Sequence, residues 1–168
     1  MGRLAAETIA ALRSATEAGV TGDGVGDTIL VAADLLRKVR DPGRRTGVPD
    51  VDAADVIPAE AEDLKRALLE LLRRHPESEH AGSLVWVLGN CFDPAHAADF
   101  VAQLERGVRQ VAEGNGLVFQ ALCALDNLGE DVFEKDDRGG SSQSLLEVEK
   151  NLRQARAYLE RRGVRVPW

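Results

Sequence analysis

Aromatic side chains are scarce: two Trp, one Tyr and four Phe make up 4% of 168 residues. Leu and Ala fill the space instead, and close helix-on-helix packing uses small and unbranched residues, so the bias predicts an all-helical chain. Cysteine is nearly absent too. Cys91 and Cys123 each sit inside an apolar helical run and read as small buried hydrophobes, not as a disulfide. No stretch approaches the ~18 apolar residues of a membrane span, and no apolar N-terminal run follows a basic segment. The expectation is therefore a cytoplasmic protein with no membrane partner. Strand-like alternation of useful length is missing as well.

Constellations that carry chemistry are equally thin. The histidines are His75, His80 and His96. His75 and His80 are five apart with Pro76 between them, whereas metal ligands on one helix face stand four apart. The run Gly22-Asp23-Gly24-Val25-Gly26 superficially evokes a nucleotide loop, but no strand precedes it and no Lys-Ser/Thr follows. Asp23 and Asp27 lack the closing Glu of a calcium loop. Ser141 and Ser142 have no nucleophile elbow and no His in phase. Neither cysteine has an adjacent basic residue to activate it. The sequence thus offers no catalytic, metal or cofactor site, and the expectation is that the chain is not an enzyme.

What is present is helical periodicity. With 44% hydrophobic residues, the chain is long enough for one domain, residues 1–168, with a real core. Apolar stripes predict helices over 3–18, about 27–39, 58–74, 78–88, 94–111, 117–128 and 144–162, about seven in all. Gly19 stops the first, and a glycine-rich turn fills 19–27. Pro58 opens the third with Glu60, Glu62 and Asp63 at its positive end. Ser78 is a candidate N-cap, Gly89-Asn90 a left-handed stop, and Asp93-Pro94 a cap and helix opening. Gly114-Asn115-Gly116 turns the chain, and Ser144-Leu145-Leu146-Glu147 fits a capping box. Two long irregular segments remain, 41–57 and the acidic, then Gly/Ser-rich 129–143.

Charge is unevenly spread. The net charge is −7, yet residues 150–168 hold six basic side chains against Glu160, a net +5 that leaves −12 for the rest. An acidic body disfavours nucleic acid and favours a basic protein partner. The basic helix 144–163 complements its own dipole, or else offers an anionic contact surface.

The chain also echoes itself. Val85-Trp86-Val87-Leu88-Gly89-Asn90-Cys91-Phe92-Asp93-Pro94 aligns with Leu122-Cys123-Ala124-Leu125-Asp126-Asn127-Leu128-Gly129-Glu130-Asp131 at an offset of 37 residues. Ala33 to Pro42 fits the same template at an offset of 52, the excess being close to the length of the loop 41–57. Three helix pairs and a capping helix account for the chain.

An apolar run ending in Leu-Gly-Asn, followed by Asp-Pro, resembles a HEAT-type helical repeat. The second copy departs from it, with Asp126 where Gly89 stands and its glycine shifted to Gly129. The resemblance implies a short right-handed α-solenoid. A small acidic chain of this kind is similar to bacterial immunity proteins of polymorphic and contact-dependent toxin systems, which bind and occlude a cognate toxin, often one with a basic nuclease site. In such stacks the second helices line the concave face. That would gather Asp34, Glu79, Asp126, Glu130 and Asp131 around Trp86 and Asn90 as partner-binding residues. Trp86 and Asn90 are four apart and share a helix face. The alternatives are a nucleic-acid-handling module using Arg153, Arg156, Arg161, Arg162 and Arg165, or a generic scaffold. Oligomeric state is open, with a monomer the default, and Trp168 is a docked plug or a loose end.

Overall fold

Gly2 is the residue on which the first helix starts, and it is buried against the start of the third. Its amide N–H donates to both carboxylate oxygens of Glu60, at 3.0 and 3.3 Å. Glu60 also accepts from Ile57 N at 3.0 Å, reaching back over the first turn of its own helix. One carboxylate, itself 5% exposed, so fixes two helix starts.

The computed structural model describes residues 2–20, 24–48, 51–110, 116–135 and 143–166. Within them the chain is all-helical, with no β-strand: α1 Arg3–Ala18, α2 Gly24–Arg40, α3 Pro58–Arg74, α4 Ala81–Gly89, α5 Ala97–Arg109, α6 Gly116–Asn127 and α7 Val148–Arg161. Short 3-10 turns cover Ala53–Asp55, in the long loop, and Pro94–His96, ahead of α5. Gly22, Asp23, Gly114, Asn115, Ser141, Ser142 and Trp168 lie outside the described residues.

The chain forms two compact units, Met1–Val87 and Leu88–Trp168. In the first, α1 packs on α2 and α3, and α2 on α3. Its core is aliphatic, with Leu12, Ile29, Leu35, Leu64, Leu68 and Leu71 sealed from solvent. In the second, α5 and α6 pack together and α7 closes over both. Phe100, Leu104, Leu122, Leu125 and Leu159 form that core, with Val132 and Phe133 from the turn after α6.

Several local expectations are corrected. The turn after α1 is shorter than 19–27, because α2 already begins at Gly24. Gly19 does end α1, at φ 86°. Ser78 does not cap α4: the helix starts at Ala81, and Ser78 sits in a turn closed by Ser78 N to His75 O and Ala81 N to Ser78 O. Gly89 is not a left-handed stop but the last residue of α4. A Cβ there would lie 2.6 Å from the Ala124 Cβ, so its missing side chain serves close approach of α6. Phe92 takes the left-handed position instead, at φ 55°. In the second copy Gly129 does supply the left-handed end, at φ 83°. Asp93 caps as expected, its carboxylate accepting from Ala95 N at 3.0 Å. The box Ser144–Glu147 does not open a helix: it forms a turn, and α7 starts at Val148.

Candidate functional site

Trp86 comes from α4 and Arg37 from α2. The Arg37 guanidinium carbon lies 4.7 Å from the centre of the indole ring, a cation–π contact. Arg37 Nη1 donates to Asp34 Oδ1 at 3.1 Å, the pair spanning one turn of α2. The other Asp34 oxygen accepts from Val48 N at 2.7 Å. The result is a chain of contacts: loop residue Val48, Asp34, Arg37, Trp86. Trp86 is half-buried. A large side chain already held in place by its neighbours loses little freedom on binding, which is what an interface anchor requires.

Asp34 is therefore not a contact carboxylate. It is 2% exposed, and both its oxygens are spent inside the unit. Sequence reasoning set it on the binding face because it is acidic and second-helix; it missed Arg37, whose spacing of three from Asp34 was the signal. Glu79 stands in the turn before α4, and its side chain is 81% exposed.

In the second unit the acidic candidates have different neighbours. Glu130 pairs with Arg162 at 3.3 Å. Asp131 is exposed, within 3.8 Å of Lys135 Nζ, and its carbonyl accepts from Arg161. Asp126 accepts from Gln143 Nε2 at 2.9 Å. Glu134, not singled out from sequence, pairs with Arg153, which donates from Nε and Nη2 at 3.2 Å each. That guanidinium holds the Glu134 carboxyl below its ordinary value. Tyr158, beneath this cluster, has its phenol pushed up by burial and then by Glu130. Glu130 and Glu134 thus pair with arginines at the end and in the middle of the basic segment. Arg153 and Arg162 each pair with a carboxylate of the acidic segment and Arg161 with a backbone carbonyl, so three of the five arginines of the nucleic-acid reading have partners within the chain.

Asn90 is half-buried just past α4. Its counterpart Asn127 donates from Nδ2 to the Gly89 carbonyl at 3.3 Å, joining the ends of the two echoed segments. The outer face of α7 borders a groove of about 460 Å³ whose described walls are Glu149, Leu152, Arg153, Arg156, Ala157 and Glu160.

The histidines have structural settings. His75 Nε2 donates to the Thr16 carbonyl at 2.9 Å, tying the end of α3 to α1. His80 lies against Gly26, and His96 is buried edge-on to Phe100 at 6.1 Å. Among the described residues no three His, Cys, Asp or Glu side chains cluster as metal ligands would. Neither cysteine is in a disulfide, and burial, helped by Asp126, pushes the Cys123 thiol up to about 11, opposite to what a nucleophile needs. No described helix is long and apolar enough to cross a membrane.

Compared with known protein families, curated proteins and solved structures, the chain matches none.

Proposed function

We propose that this chain is a protein-binding module that captures a basic partner and occludes it, in the manner of an immunity protein neutralising a cognate bacterial toxin. The observation that carries the reading is Trp86: a half-buried indole stacked by Arg37, which Asp34 in turn anchors. Such a group gives affinity, and the net charge of −7 gives capture rate. Glu79, Asp126 and Asp131 keep exposed or half-exposed carboxylates that contribute to that steering. In this reading the protein works in the cytoplasm. In this reading the helix pairs are HEAT-like units of a short right-handed solenoid; α1 packs on α2 and α5 on α6, while α3 packs chiefly on α1.

The test is pulldown with the product of the adjacent upstream gene, followed by an assay of that product's activity. Binding with loss of activity is expected. Trp86→Ala should weaken it by about 2 kcal/mol or more, roughly 30-fold, with unchanged circular dichroism. Absence of binding, or binding that leaves the partner active, sinks the proposal.

A further inference from the structure

Two contacts fix how α4 lies beside α2 in the first unit. At one end the ring of His80, just ahead of α4, covers Gly26: a Cβ built there would lie 3.5 Å from His80 Cε1. At the other end Arg37 stacks on Trp86 at 4.7 Å. Earlier residue meets earlier and later meets later, so the two helices run side by side in the same direction. Leu30 falls between the two contacts. It is one turn after Gly26 and two turns before Arg37, so all three share one face of α2. On α4 the residue midway between His80 and Trp86 is Ser83, three positions from each and exposed. Its short side chain leaves Leu30 open, at 47% exposure, whereas Ala33 and Asp34 one turn further on are 4% and 2% exposed. An aliphatic side chain is thus uncovered between an imidazole and an indole, on a helix face that is otherwise filled.

The charges at the two ends of this opening differ. At the His80 end, Glu79 has a side chain 81% exposed, and Asp27, one turn before Leu30, is exposed as well. At the Trp86 end the cation is Arg37, and Asp34 already answers it at 3.1 Å. An acidic segment laid over Leu30 would bring like charge against Glu79 and Asp27, whereas a basic one is complementary there. The spacing is set by α2: Gly26, beneath His80, lies about 6 Å along the axis from Leu30. We propose that Leu30, His80, Ser83 and Trp86 form a docking notch for a partner segment that carries one large apolar side chain with a Lys or Arg about one helical turn away. The apolar group seats on Leu30, and the cation lies beside Glu79. This rests on the protein-binding part of the reading above and adds the chemistry that the partner presents. Leu30 contributes apolar area removed from water, Trp86 with Arg37 a wall already held in place, and Glu79 the orientation of the bound segment.

A library of short random peptides, panned against the full chain, tests this. The enriched peptides are expected to pair Leu, Ile, Met or Phe with a Lys or Arg three or four positions away. Leu30→Asp should weaken their binding about tenfold or more, and Ser83→Arg should do the same by filling the notch from α4. Panned again on Glu79→Arg, the library should no longer select the cation. A library that yields no binder overturns the proposal. So do peptides without that pairing, or peptides indifferent to both Leu30→Asp and Ser83→Arg in chains of unchanged circular dichroism. Should Leu30→Asp fail to fold, Ser83→Arg, at an exposed position, decides alone. The same variants separate the notch from the wider reading. If the upstream product is captured and inactivated, and Trp86→Ala weakens this while Leu30→Asp and Ser83→Arg do not, the notch falls and the immunity reading stands. If the peptides behave as expected but the upstream product is not bound, the notch stands and the immunity reading falls.

Discussion

Gly89 and Ala124 meet at a spacing that leaves no room for one more methyl group. A Cβ on Gly89 would sit 2.9 Å from the Ala124 Cα, and backbone cannot yield as a flexible side chain does. Gly89→Ala should therefore cost about 1–3 kcal/mol by overpacking, measured by chemical denaturation, and Ala124→Gly in the same chain should recover part of it. Asp34 carries a different kind of stress. Asp34→Ala leaves the Val48 N–H and the Arg37 guanidinium without their acceptor, a loss of about 1–3 kcal/mol, and it should also free the Trp86 fluorescence from its fixed environment. Cys123 sets an alkaline limit. Its folded value of about 11 exceeds the ordinary 9.0, so the unfolded chain loses this proton first as pH rises. Stability is unaffected below about pH 9 and falls between 9 and 11, by no more than about 2 kcal/mol given its partial burial. Cys123→Ala should flatten that limb of a pH-dependent denaturation series.

At the scale of elements, α7 poses a choice between charge and burial. Its ion pairs are conspicuous, but Arg153 and Glu134 are 63% and 54% exposed, and exposed pairs contribute about 0–1 kcal/mol. Phe133, 4% exposed in the same acidic turn, buries a whole aromatic ring. Phe133→Ala should cost about 3–5 kcal/mol and Arg153→Ala less than about 1, so the hydrophobic contact holds the turn and the charges fix its orientation. Equal losses in a denaturant titration would reverse that ranking. The boundaries of α1 and α3 were legible from Gly19 and Pro58 because their end signals act locally. The start of α7 was not: Ser144 spends its hydroxyl and carbonyl on Leu146 and Asn151, and a buried asparagine outcompeted the capping pattern.

For the whole molecule, on the proposed reading, the net charge of −7 is what a basic partner would meet at long range. Capture of a basic protein should slow as ionic strength rises from about 0.01 to 0.15 M, while its dissociation changes little, since screening acts on steering rather than on a buried anchor. Stopped-flow association against salt checks this. Of the acidic residues that sequence gathered onto one face, Glu79 remains open to solvent, whereas Asp34 is buried and Glu130 answers Arg162.

The sequence by itself determined the all-helical class, most helix ends and the echo between 85–94 and 122–131, because periodicity, proline and glycine act within a few residues of chain. Only the tertiary structure decided what the echoed residues do. Gly89 proved to be a point of close approach, and Asn127 its hydrogen-bond donor across 38 residues. Asp34 was drawn inside because Arg37 and the Val48 N–H together supply the bonds that its burial costs. Charge is written in one dimension, but burial and pairing depend on neighbours that only folding brings together.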